Sequence, residues 1–408
     1  MRSAPAAKLA LIPALALAAL EACGSSGAPN GASPADASVR SDGTAPGPAD
    51  GGPEASANEG GPADGGGSDG LAAGDAGAGC ARTPAPADRA RYVVASHPFA
   101  ADGGAAAVFE VLDLSQGGAL TRPATPVLFA MGPASNAPIV FTPDGEVGLV
   151  AQDDGTIGVF RLDAAGTPTV VHAGYRGVFY AMQLVVSADG SHVYGLDLDT
   201  APNKGGVYEL AIGCDGTLSN EALVVPGGNA YAMALVPTAP TEALLAAGAA
   251  FGSPATADTD LVDLASLSLI GSTEAFGGDA GSALPSSVAV APDGKYALVA
   301  DNGITAGSRL AVVGISAPHL TAVGVLATPS PTAVVISPFD NAALVLNDDS
   351  TDQIHVLTYD PANAATPFVL TGQLAYKFPP PQIPTTASVI AQGSLMGTVF
   401  VSENTAVR

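Results

Sequence analysis

Ser287–Gly303 reads SVAVAPDGKYALVADNG, and this stretch decides the fold. Val288 and Val290 are apolar positions two apart, the period of a β-strand with one face buried. Pro292-Asp293-Gly294 is a turn: proline presets φ, aspartate bonds its own backbone, and glycine accepts positive φ. Tyr296, Leu298 and Ala300 resume the alternation, and Asp301, Asn302 and Gly303 end it in a polar loop. The unit is a β-hairpin followed by an acid- and amide-rich loop.

The unit recurs. Ile139 to Gly145 leads into Val147–Ala151, then Gln152, Asp153, Asp154 and Gly155. Leu184 to Gly190 leads into His192–Leu196, then Asp197 and Asp199. Val334 to Asp340 leads into Ala342–Leu346, then Asn347, Asp348 and Asp349. Two worn copies run Met233 to Gly248 and Ser388 to Val401, the second ending in Glu403 and Asn404, and a half-copy opens at Arg91–Ser96 before His97. Second strands start near 91, 146, 192, 242, 295, 342 and 397, a spacing of about 45 to 55 residues, which is the period of propeller blades. Third strands follow at Val108–Leu112, Ile157–Leu162, Val207–Ile212, Arg309–Ile315 and Ile354–Tyr359, and a fourth follows a turn, as at Leu320–Leu326. Four short antiparallel strands per repeat, without helical patterns between, predict an all-β propeller of four-stranded blades. No blade can bury both faces alone, so the blades must stack in a ring.

The segments before the repeats differ in kind. Arg2 and Lys8 flank an apolar run, Leu9 to Leu20, too short to span a bilayer and right for a signal peptide over 1–22. The run ends Leu20-Glu21-Ala22-Cys23, which resembles a bacterial lipobox with Cys23 as the lipidated residue; an ordinary signal peptide containing a cysteine is the alternative. Residues 23–79 are almost entirely Gly, Ala, Ser, Pro and Asp, cannot bury enough surface to offset chain entropy, and read as a disordered tether. Residues 80–408 form the propeller domain. The expected location is therefore the bacterial cell envelope, exported and lipid-anchored, facing the periplasm or the surface.

A net charge of −24 argues against nucleic acid and against adhesion to anionic membrane by charge, leaving the lipid as the only membrane contact. Trp is absent, which excludes the WD-type aromatic signature. Cys80 and Cys214 remain as a possible disulfide in an exported chain, and sequence alone leaves the pairing open.

The hairpins, above all Ala291-Pro292-Asp293-Gly294-Lys295 with Leu298 to Asn302, Thr142 to Gly145 and Ser187 to Gly190, resemble those of YVTN-type β-propellers and the related lactonase family, which includes 6-phosphogluconolactonase-like proteins. The resemblance covers about 91 to 408 and implies seven blades; counting inner strands, near 137, 181, 230, 285, 331 and 385, gives six.

Catalytic motifs are scarce. Gly66 to Gly70 matches a nucleophile elbow and Gly65 to Gly70 a dinucleotide fingerprint, but both fall in the tether with neither strand nor helix beside them. His97, His172, His192, His319 and His355 are scattered, with no metal-ligand spacing. One constellation survives. Loops after second strands lie on one end of a propeller, so His97, Asp153, Asp154, Asp197, Asp199, Asp301, Asn302, Asn347, Asp348 and Glu403 should share that end. Such a face would suit Ca²⁺ or another divalent cation, or a basic group of a protein or small-molecule ligand, while the plainer reading is turn chemistry. No motif demands a cofactor. The sequence thus predicts a monomeric, tethered binding module acting through an acidic face, with a sugar-lactone hydrolase working in the central channel as the alternative.

Overall fold

The computed structural model describes residues 79–84, 91–97, 107–114, 120–132, 138–197, 205–226, 230–247, 257–277, 285–301, 308–328, 330–337, 341–347, 354–374, 383–389 and 399–404. The expected signal segment, Cys23 and all but the last residue of the expected tether lie outside these. Among the described residues every long element is a strand, and all belong to one compact unit spanning Asp75–Arg408.

The first sheet holds β1 (Arg91–His97) and β2 (Ala107–Leu114), with β3 (Leu120–Thr121) and β4 (Val127–Met131) both on the outer side of β2. The second is β5 (Val140–Phe141), β6 (Val147–Ala151), β7 (Ile157–Leu162) and β8 (Pro168–Tyr175). The third is β9 (Gln183–Val186), β10 (His192–Asp197), β11 (Gly206–Ile212) and β12 (Leu218–Pro226); the fourth is β13 (Ala230–Val236), β14 (Ala239–Ala247), β15 (Thr259–Asp263) and β16 (Ser268–Thr273). The fifth is β17 (Pro285–Val290), β18 (Tyr296–Asp301), β19 (Arg309–Ser316) and β20 (His319–Leu326). The sixth is β21 (Pro331–Ile336), β22 (Ala342–Asn347), β23 (Ile354–Tyr359) and β24 (Phe368–Leu374), and β25 (Ile383–Val389) pairs with β26 (Val399–Asn404) in a two-stranded seventh. Among the described residues every pairing is antiparallel and, apart from β2 with β4, between neighbours in sequence, and β5, β9, β13, β17, β21 and β25 lie each beside the next. This is a β-propeller. Its described part has seven sheets but six inner strands, because the first sheet has no strand inside β1. Both counts expected from the sequence thus have a counterpart.

The hairpin turns close as their residues demand. Gly145 donates to the Thr142 carbonyl at 2.7 Å, and Asp144 Oδ1 accepts the Thr142 hydroxyl at 2.6 Å and the Glu146 amide at 3.0 Å. Gly145, Gly190 and Gly294 all sit at φ near +70°, where a side chain would be strained.

Second strands read as apolar runs because they are buried on both faces. On β18, Ala297 and Val299 pack toward the fourth sheet while Leu298 and Ala300 pack toward the sixth. On β14, Ala243 and Leu245 face the third sheet and Leu244 and Ala246 the fifth. Small residues on these strands let successive sheets approach, and among the described residues the second to fifth sheets each supply one wall of two cores.

Candidate functional site

The ring has two ends. At one lie the Asp-Gly hairpin turns, and across those of the second and third sheets runs the segment 79–82. Cys80 is disulfide-bonded to Cys214, and its amide donates to the Ile212 carbonyl at 2.8 Å. The Arg82 side chain is buried; it donates to Asp144 Oδ2 at 3.0 Å and to the Gly213 carbonyl at 2.7 Å, while its amide donates to Asp189 O at 2.7 Å. This clasp fixes the domain's first residues to two sheets.

At the other end lie the links between second and third strands, where the sequence places its acidic constellation. Register makes the positions equivalent. Asp197, Asp301 and Asn347 are the last residues of β10, β18 and β22, and Gln152 directly follows β6. His97 and Glu403 occupy the ends of β1 and β26 by backbone; their side chains, like Asp199, Asn302 and Asp348 altogether, lie outside the described residues.

The buried members of this set hold backbone in place. Asp301 is fully buried, and its Oδ2 accepts from Arg309 Nε at 3.3 Å and Nη2 at 3.0 Å. Arg309, facing it on β19, also donates through Nη1 to the Phe276 carbonyl at 3.2 Å and stacks its guanidinium 5.0 Å from the Phe276 ring. The fifth sheet thereby grips the chain leaving the fourth. In the fourth sheet Asp258 does the same from the start of β15, accepting the amides of Ala275 at 2.7 Å and Phe276 at 2.9 Å and the Thr259 hydroxyl at 3.0 Å. Burial raises the Asp258 pKa, against the pull of those donors. In the second sheet Gln152 donates to the Ala173 carbonyl at 3.1 Å and accepts from Thr156 at 2.5 Å. In the third, Asp197 Oδ2 accepts the Tyr180 amide at 3.2 Å. At this register Asp197 and, through Arg309, Asp301 thus tie down the chain as it crosses between sheets, while Gln152 braces the outer strand of its own sheet. Asn347 is as deeply buried, and neither atom of its carboxamide has a hydrogen-bond partner among the described residues.

Asp153 and Asp154 stand apart, in the β6–β7 link. Asp154 pairs with exposed Arg176 at 3.1 Å and accepts the Thr156 hydroxyl at 2.6 Å; burial opposes, but these contacts hold its pKa below the ordinary range. Asp153 is exposed, and its pKa is raised, first by partial burial and then by the neighbouring Asp154. Among the described residues no group of three or more His, Cys, Asp or Glu is arranged to hold a metal ion.

Sequence reasoning missed the segment that crosses this end. Residues 178–182 form an irregular link that bends at Val178 and Phe179, with Phe179 and Ala181 buried and Val178, Tyr180 and Met182 exposed. Tyr180 lies over Gly155 and donates its hydroxyl to the Asp153 carbonyl. Gln183 then reaches the neighbouring inner strand, donating to Met233 O at 3.1 Å and accepting the Met233 amide at 2.8 Å. The signal was present as an unbroken apolar run from Val178 to Met182, which a core-seeking reading assigns wholly to the interior.

No protein-family description and no curated protein matches this chain. Solved structures do. The Pseudomonas aeruginosa periplasmic gluconolactonase PpgL matches at 16% identity, covering 72% of this chain and 84% of its own, with a TM-score of 0.52. A Bacteroides uniformis protein with the provisional name 6-phosphogluconolactonase matches at 17% identity over the same shares, TM-score 0.52. Chaetomium thermophilum Sqt1, solved bound to the N-terminus of the ribosomal protein L10, matches at 16% identity, covering 78% of this chain and 80% of its own, TM-score 0.51. At such identities the likeness establishes the fold, and the chain is a β-propeller of an architecture shared by lactonase-like proteins and by at least one peptide-bound propeller.

Proposed function

We propose that this protein is an exported, membrane-tethered β-propeller that binds a partner through the end of the ring where the links between second and third strands gather. The observation that carries this reading is the division of labour at that end. Four of its buried polar residues, Gln152, Asp197, Asp258 and Asp301, are spent on holding the chain, whereas Asp153 in the β6–β7 link and Tyr180 and Met182 on the braced segment face solvent. Exposed, held side chains beside an exposed carboxylate suit recognition. The likeness to Sqt1 with its bound ribosomal-protein terminus supports a protein-binding role.

The lactonase reading draws its support from the names of PpgL and the Bacteroides protein. The two separate by assay. The purified full chain is given glucono-δ-lactone and 6-phosphogluconolactone with and without chelator. The binding reading expects hydrolysis at the buffer rate. Chelator-sensitive turnover abolished by Asp153→Asn would replace it with the hydrolase.

A further inference from the structure

The segment 178–182 has a property that packing alone does not require. Its inward residues suffice for the core: Phe179 stacks on Tyr208 at 4.4 Å and Ala181 is 1% exposed. Its outward residues are nonetheless apolar, with Val178 85%, Tyr180 43% and Met182 43% exposed, and Tyr231, two residues before Met233 on the adjacent inner strand, is 36% exposed. Apolar side chains grouped on a surface mark interaction sites more often than isolated ones do.

The segment is also pre-organised. Its amides donate inward: Val178 to Glu221 at 2.7 Å, Tyr180 to Asp197 at 3.2 Å, Ala181 to the Gly155 carbonyl at 3.0 Å and Met182 to the Leu196 carbonyl at 2.9 Å. A partner therefore cannot pair with these amides as an added strand and must read the side chains. Ordering costs at such a site are already met by the fold.

Charge selects among occupants. Asp153, whose carbonyl accepts the Tyr180 hydroxyl, is exposed beside the row, and among the described residues the nearby Arg176 pairs with Asp154 instead. A chain of net charge −24 repels its own copies and anionic lipid. We propose that Val178, Tyr180, Met182 and Tyr231 form a docking strip for a segment of another protein that carries both cationic and apolar side chains, a cation meeting Asp153. This rests on the binding-module reading and names its partner class.

The test uses the full chain and a fluorescent alternating lysine–leucine hexapeptide, read by anisotropy, with hydrogen exchange as the map. Val178→Lys and Met182→Ser should each weaken binding about tenfold and Asp153→Asn about threefold, while Val325→Lys, on the outer strand β20, leaves it unchanged. Protection should appear at residues 152–156 and 176–183. Equal binding by all four variants, capture by dioleoylphosphatidylglycerol vesicles in place of the peptide, self-association through the strip, or no binding would each overturn the proposal. Protection at the ends of β10, β18 or β22 with 176–183 untouched would overturn the strip yet keep the binding end. Protection confined to the turns at 143–145 and 292–294 would overturn both.

Discussion

Replacing Asp301 by alanine should unfold the protein more readily without any ligand being involved. The carboxylate is fully buried and receives two charge-assisted hydrogen bonds from Arg309, whose side chain keeps only 17% of its exposure. Removing it strands a guanidinium whose remaining partners are the Phe276 carbonyl and ring. Breaking one side of a buried pair costs about 3–5 kcal/mol. Water can reach the partly exposed guanidinium, so the lower figure, about 3 kcal/mol, applies. With an unfolding entropy near 2.1 cal/mol/K per residue, a domain of this size loses roughly 4 °C in Tm. Calorimetry on the wild type, Asp301→Ala, Arg309→Met and the double variant forms a cycle in which the double variant should cost less than the sum of the singles. A Tm for Asp301→Ala within one degree of wild type, or strictly additive losses, would refute the bracing role and return this carboxylate to the pool of ligand-binding groups.

Three further outcomes are expected. The double substitution Cys80→Ser, Cys214→Ser opens a loop with a sequence separation of 134 residues, and loop-closure entropy sets a ceiling of about 5 kcal/mol on the loss; urea unfolding under oxidising conditions should show most of it, and an unchanged midpoint would mean that Arg82 holds the clasp alone. Asp144, Asp154, Asp163, Asp189, Asp215 and Asp263 all have pKa values held below the ordinary carboxylate range. Their stabilisation is present above the unfolded value near 3.9 and is lost as pH falls through the folded ones, whereas raised Asp153 and Asp258 act with the opposite sign. The urea midpoint should therefore fall between pH 4 and 2, and a flat or rising midpoint would refute the net balance. Gly155→Ala adds a Cβ at φ +78° only 2.3 Å from the Tyr180 ring; it should destabilise by about 1–2 kcal/mol and displace Tyr180, seen as a change in tyrosine fluorescence, and an unchanged spectrum would show that the ring does not depend on this glycine.

How much of this was legible follows from what each signal encodes. The turn Ala291-Pro292-Asp293-Gly294 specifies its own backbone, so the hairpins, their period and the ring could be read from the chain. The apolar runs of the second strands also carried more than their alternation revealed, because continuous burial, as on Ala297 to Ala300, is the mark of a strand packed on both sides. Of the acid- and amide-rich loops, Asp197, Asp301 and Asn347 stand at equivalent strand ends, and the sequence left their chemistry open. An aspartate that binds a cation and one that caps a passing backbone look alike in sequence; the deciding fact is the partner, which for Asp301 lies eight residues away and for Asp258 seventeen and eighteen. The same ambiguity hid the strip. Val178, Tyr180 and Met182 are residues that ordinarily make cores, and only the fold shows that Phe179 and Ala181 had already filled that role. In a propeller the polar residue at a strand end is first a structural requirement, since every crossing chain leaves amides and carbonyls to satisfy away from water. Recognition is then left to side chains that the crossing itself carries outward, which is why the surplus apolar residues at 178, 180 and 182, rather than the repeated carboxylates, carry the functional argument.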